Sequence, residues 1–303
     1  MKILVCSDGS ERAREALLSA AIIAVPTRAD TTILGITEIE EDQGRLLEAL
    51  REDIQRFQEK GVKVDIVTKF GDPVEEIIQQ TREITYDLVI IGAERQRAQE
   101  FFLPSTKAYS IIETIVPPVL VVQESRPDLK RILICSGGGP YIDNAVRFTS
   151  EIAKDLSASI TLLTVVSEPP AMHATLVRRQ EDMDTLLNSN SELARNLRNE
   201  KDTIERAGVP VSVQIRHGIV VDQILEEVER GDCDLIVVGS WPVRDLWRNY
   251  VIGNVTREIV KRADRPVLVI RSDKEPASLA DRLRRMVTKL AGKQDYTRRM
   301  SEA

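Results

Sequence analysis

Two short stretches place small and polar residues directly after an apolar run. Ser7-Asp8-Gly9-Ser10 follows Ile3-Leu4-Val5-Cys6, and Ser136-Gly137-Gly138-Gly139 follows Ile132-Leu133-Ile134-Cys135. An acidic residue at the end of a strand can accept hydrogen bonds from a ribose or a base. Glycines and hydroxyls ahead of a helix can cradle a phosphate with backbone N–H groups and the helix dipole. Gly92 and Gly239 end two further apolar runs, and Gly253-Asn254-Val255-Thr256 offers two free amides and a hydroxyl before a helical pattern. The D-G-S stretch also describes a turn and an N-cap, and that structural role is the favoured one for Ser10. For Gly137-Gly138-Gly139 an anion nest and a flexible turn are evenly balanced. Trp241 and Trp247 flank Arg244 and Arg248. They read either as an aromatic lid with phosphate-seeking arginines or, more commonly, as a loop packed on its own sheet.

Other chemistries find little support. Cys6, Cys135 and Cys233 are odd in number and lack CxxC spacing, so neither a disulfide framework nor a structural zinc site is expected. His173 and His217 have no metal-ligand pattern and no G-x-S-x-G elbow near them. No metal site and no catalytic residue is assigned.

The elements that must position these residues come from a tandem repeat. Ile3–Ser7 matches Ile132–Ser136, and Thr32–Ile36 matches Thr161–Val165, both at an offset of 129 residues. Gly61–Val64 and Asp87–Gly92 match Gly208–Val211 and Asp234–Gly239 at 147, and Pro118–Val122 matches Pro266–Ile270 at 148. The jump between offsets places an insertion near 172–191 in the second copy. Each copy alternates five Val/Ile/Leu-rich runs with helical patterns, as expected of a parallel sheet covered on both faces. Leu47, Leu50, Ile54 and Phe57 mark one face of a helix, and Leu186, Leu193, Leu197 and Ile204 mark its counterpart. The organisation read from these landmarks is a first domain over 1–123, a linker over 124–129 and a second domain over 130–273. A basic amphipathic helical tail follows over 274–303, with Leu279, Leu283, Met286, Val287 and Leu290 on one face.

Composition bounds the class. The 303 residues are 42% apolar and 30% charged, which excludes a largely disordered chain. A net charge of −6 argues against a nucleic-acid-binding surface. No apolar run is long enough to span a membrane, and the N-terminus lacks a signal-peptide pattern, so a soluble cytoplasmic protein without membrane contact is expected.

Residues Ile3–Glu11, Gly71-Asp72-Pro73, Asp87–Gly92 and Pro117–Val122, echoed by Asp234–Gly239 and Pro266–Ile270, resemble the universal stress protein family. The resemblance covers nearly all of both copies. It implies two Rossmann-like (adenine nucleotide alpha hydrolase-like) α/β domains, each a five-stranded parallel sheet of order 3-2-1-4-5 flanked by helices. It also implies antiparallel pairing of the last strands across a dimer, which a tandem chain can imitate internally. The family divides into ATP binders and non-binders; binders carry an Asp after the first strand and a G-x2-G-x9-G-[ST] loop. The first copy keeps Asp8 and Gly92, but has Arg95 at the second glycine and Leu103-Pro104-Ser105-Thr106 at the last segment, where Pro104 removes an N–H. The second copy keeps Gly239 and Gly253-Asn254-Val255-Thr256, one residue longer than the motif, but has Gly137 in place of the aspartate and Pro242 in place of the second glycine. Neither copy carries the whole motif.

The candidate nucleotide contacts are therefore Asp8, Ile36, Gly92 and Ser105 in the first copy, and Gly137, Gly138, Val165, Gly239, Gly253, Asn254, Val255 and Thr256 in the second. ATP is the candidate cofactor, and phosphate-led binding is expected in the second copy, where the free amides lie. The expected partners are an adenine nucleotide, the two copies paired as an intrachain pseudo-dimer, and a second chain in a homodimer. The expected role is a stress-response or regulatory module. A scaffold that has lost nucleotide is the alternative, and a weak ATPase a lesser one, since no catalytic base with a matched partner is visible.

Overall fold

The computed structural model describes residues 1–93, 106–139, 142–166, 187–240 and 253–272. Arg95, Leu103, Pro104, Ser105, Pro242, the tryptophan loop, His173, residues 172–186 of the insertion and the tail lie outside the described residues.

The apolar runs form strands because they are buried on both faces. In β1 (Lys2–Ser7), Ile3, Leu4 and Val5 are all fully buried. The strands β2 (Asp30–Thr37), β3 (Val64–Phe70), β4 (Leu88–Gly92) and β5 (Val119–Val122) complete the first copy. Their counterparts are β6 (Arg131–Ser136), β7 (Ser159–Val166), β8 (Val211–His217), β9 (Leu235–Ser240) and β10 (Val267–Arg271). Between them run α1 (Glu11–Thr27), α2 (Gln43–Glu59), α3 (Pro73–Glu83) and α4 (Thr106–Thr114). The second copy has α5 (Asp143–Leu156), α6 (Glu192–Arg206), α7 (Val220–Arg230) and α8 (Asn254–Arg262).

All ten strands join one sheet in the order β3-β2-β1-β4-β5-β10-β9-β6-β7-β8. Read inward from either edge, each half has the order 3-2-1-4-5, with every pairing inside a half parallel. The halves meet where β5 pairs antiparallel with β10, centred on Leu120 opposite Leu268. Two apolar edges that would template aggregation if left bare thus satisfy each other. Side-chain contacts reinforce the seam: Arg257 meets Glu113 at 2.7 Å, Arg271 donates to the Ile112 carbonyl at 2.8 Å, and the Tyr109 hydroxyl donates to the Arg257 carbonyl at 3.1 Å. Residues Met1–Asp273 form one compact unit.

Alternation along the strands divides the core. Ile3 and Val5 face α1 and α2, and the same buried layer continues through Ile132, Ile134, α5 and α6. Leu4 and Cys6 face α3 and α4, and that layer continues through Leu133, α7 and α8. In α2 the buried stripe is Leu46, Leu50, Asp53, Ile54 and Phe57, whereas Leu47 is 37% exposed. The leucine assigned to the core from spacing is therefore one position late; Leu46 lies four residues before Leu50, a better helical match. In α6, Leu197 and Ile204 are buried and Leu193 half-buried. Burial pushes the Cys6 and Cys135 thiols far above their usual range, and Cys233 up to about 11, so all three are inert at neutral pH.

Candidate functional site

The chain leaves β1 through a turn whose polar groups largely satisfy one another. Gly9 has φ +77, a left-handed conformation that favours glycine. The Gly9 amide donates to Ser7 Oγ at 3.1 Å and the Ser10 amide to Asp8 Oδ1 at 2.9 Å. Ser10 then caps α1, its hydroxyl accepting from the Ala13 amide at 3.3 Å. The N-cap reading of Ser10 holds, and such a cap is worth about 1 kcal/mol. These two amides are engaged within the turn, with Asp8 Oδ1 as one of the acceptors.

That carboxylate stands at a cleft of about 1040 Å³ beyond the C-terminal ends of β1, β2 and β4, where open α/β sheets bind ligands. Ile36, Ile77, Ile91 and Ile111 give the cleft an apolar lining, and Gly92 and Ala93 form its wall at the end of β4. Asp8, Ile36 and Gly92, singled out from the sequence, are thus brought together. Sequence reasoning missed Lys107 in the first turn of α4. Its ammonium lies 2.5 Å from Glu38 and 3.9 Å from Asp72. The hydrogen bond to Glu38 raises the Lys107 pKa; the charges of Glu38, Asp72 and Asp8 add to this, while partial desolvation opposes it. A cation is therefore held among carboxylates from the ends of β1 and β2 and the start of α3. The signal available in the sequence was a lysine directly after Ser105-Thr106.

The second copy is built differently at each matching place. Gly137 occupies the Asp8 position, so the carboxylate is gone, and a side chain there would meet open space. Gly138 repeats the turn, with φ +69 and its amide donating to Ser136 Oγ at 3.1 Å. A Cβ at Gly138 would stand only 2.0 Å from Leu193 Cδ1, so helix α6 seats directly on this glycine. From the same helix Asn196 donates through Nδ2 to the Gly138 carbonyl at 2.6 Å. Val165 is half-buried at the end of β7, whereas Ile36 on β2 is buried.

At the far side of the second copy, Gly253 is the N-cap of α8 with an extended backbone and no capping side chain. The helix begins at Asn254. Asn254 and Val255 are exposed, but Thr256 is 4% exposed and packs inward. The amides of the first helical turn remain the available donors there, as at any uncapped helix start. Gly239 is the penultimate residue of β9. Among the described residues no cluster of three or more His, Cys, Asp or Glu could hold a metal ion. Nor is any described helix long and apolar enough to cross a membrane.

The universal stress protein family model matches residues 1–123 and again 128–271. The chain belongs to the universal stress protein family. It is a tandem member, with both copies built into one sheet. A universal stress protein of Methanocaldococcus jannaschii is 28% identical over 146 residues, 48% of this chain and 84% of that relative. The crystal structure of a universal stress protein from Archaeoglobus fulgidus aligns with a TM-score of 0.67 at 18% identity, covering 89% of this chain and 98% of that one. A functionally unknown protein from Pseudomonas aeruginosa aligns with a TM-score of 0.62 at 17% identity, covering 90% of this chain and 92% of that one. These two structures agree with the tandem Rossmann-like fold.

Proposed function

We propose that this universal stress protein is a regulatory module of a stress response whose first copy binds the nucleoside part of an adenine nucleotide. The observation that carries this reading is the cleft of about 1040 Å³ with Asp8 at its edge and isoleucines along its sides. An apolar slot with a few convergent polar groups suits a planar base and a ribose. Asp8 accepts a ribose hydroxyl at the edge of the cleft. Lys107 is the basic group on the cleft's α4 side, and it reaches a phosphate only by leaving Glu38. Glu38, Asp72 and Asp8 around it oppose a triphosphate, so affinity comes from the nucleoside. No residue in the cleft is assigned a catalytic role.

Phosphate-led binding at Gly253 and Asn254 is the competing placement of the same activity. It has amides but lacks the aspartate, and the Gly138 turn that should complete it lies under α6. A scaffold without nucleotide is the second reading, supported by the Lys107–Glu38 pair, which is satisfied without any ligand.

Calorimetric titration with adenosine and with ATP tests the proposal. Asp8→Ala removes a charge-assisted hydrogen bond costing about 1.5–3 kcal/mol, so affinity should fall roughly ten- to a hundredfold. No heat with either ligand would favour the scaffold.

A further inference from the structure

The register of the two copies aligns Arg14 with Asp143 and Asp53 with Glu200. In the first copy Asp53 is buried, and cations balance it: Arg14 lies 3.8 Å away and Arg56 3.5 Å away. In the second copy the helix α5 brings a carboxylate, Asp143, where Arg14 stands in the first. Glu200 is 3% exposed, and neither of its carboxylate oxygens has a well-formed hydrogen bond. A buried, unpaired carboxylate is costly as an anion and tolerable once protonated.

Among the described residues, the groups around Glu200 do not supply a cation. On α5, Asp143 contributes negative charge, while Arg147 is turned outward onto Asn144. Glu151, Lys154 and Asp155 of that helix are exposed. On α6 itself, Lys201 pairs with Glu205, Arg198 donates to the Leu187 and Ser189 carbonyls, and Arg206 donates to the Asp202 carbonyl. Glu192, Arg195, Asp202 and Glu205 are exposed. From β8, Arg216 is taken by Glu227 and His217 is exposed. At the end of β6 stands the Ser136 hydroxyl, with Thr164 of β7 donating to the Ser136 carbonyl. Asn196 lies one helical turn before Glu200, and it is the residue that ties α6 to Gly138.

We propose that Glu200 is a proton-binding site that latches α6 onto the glycine turn of the second copy. With the proton bound, α6 seats on α5 and Asn196 holds Gly138; release of the proton places a second negative charge beside Asp143 and loosens both contacts. Burial is the main cause that pushes the Glu200 carboxyl up to about 7; the Ser136 hydroxyl draws it down and the Asp143 charge raises it. The ordinary value is 4.5, so the folded chain keeps a proton that the unfolded chain gives up. The stabilisation is complete below the unfolded value and is lost as pH rises through about 7. The second copy's turn is thereby more firmly closed in acid than in base. This inference does not depend on nucleotide binding.

The test follows the carbon-13 shift of the Glu200 carboxyl and amide exchange along α6 in the full chain across neutral pH. The expected midpoint is about 7, with exchange in α6, corrected for its intrinsic pH dependence, accelerating above it. Glu200→Gln should flatten the exchange profile. Asp143→Arg should lower the midpoint by placing a cation where the first copy has Arg14. A wild-type midpoint near 4.5, or an α6 exchange profile unchanged across this range, overturns the proposal. The wild-type titration decides even if Glu200→Gln does not fold.

Discussion

In the first copy Asp8 follows β1, Ala49 lies beside Gly9, and Arg14 stands near Asp53; the second copy has Gly137, Asn196, Asp143 and Glu200 at those places. The strand order, the left-handed turn glycine and even the helix ends are the same, with Arg28 and Ser157 closing α1 and α5 at φ 49 and 51. Duplication thus preserved the scaffold while the two turns parted in chemistry. Ala49 only touches the Gly9 position, 3.7 Å from where a Cβ would stand, whereas Asn196 grips the Gly138 carbonyl. One turn faces an open cleft with a carboxylate at its edge. The other is covered by a helix and sits above a buried acid.

The largest expected effect breaks the covered turn. Gly138→Ala combines a positive φ with a Cβ 2.0 Å from Leu193 Cδ1, so it should cost about 2–4 kcal/mol in chemical denaturation. Gly9→Ala meets Leu46 Cδ1 at 3.0 Å and should cost less, about 1–2 kcal/mol, mainly from its φ. Equal costs would mean that α6 does not seat more tightly than α2. A third variant sharpens the comparison through charge. Arg14→Ala removes one of the cations balancing Asp53 and should destabilise by about 1 kcal/mol at neutral pH. That loss should shrink in acid, where Asp53 is protonated. Its carboxyl is already raised by burial against the pull of Arg14 and Arg56, and the variant raises it further. The smallest effect is expected at Lys107. The Lys107–Glu38 pair is largely exposed, so Lys107→Ala should change stability by no more than about 0.5 kcal/mol. In the same variant adenosine affinity should hold while any preference for ATP over adenosine disappears.

Much of the fold was legible because its signals are repeated. The strand landmarks recur twice in the same order, and the joint at which β5 meets β10 is the antiparallel pairing of last strands that the family resemblance implied. Helix phase was less legible: consecutive leucines at 46 and 47 leave the buried one to packing. The placement of Asp8, Ile36 and Gly92 around one cleft followed from the ends of parallel strands. Lys107 did not, because its partner Glu38 is distant in sequence and the pair forms only when β2 and α4 come together. Glu200 was hidden for a related reason. A glutamate on an amphipathic helix reads as solvated, and its burial emerges only when α6 is set in register with α2 and packed on α5.

If the open first copy, rather than the covered second one, holds the ligand, substitutions in the two copies should differ in effect. Calorimetric titration of adenine nucleotide into Asp8→Ala and Gly253→Pro tests this most directly. Gly253 already has φ −62, so proline fits its backbone and removes chiefly the N–H. Binding in the first copy gives a roughly ten- to hundredfold loss of affinity in Asp8→Ala and an unchanged affinity in Gly253→Pro. Loss of binding in Gly253→Pro with Asp8→Ala unaffected would contradict it and place the site in the second copy.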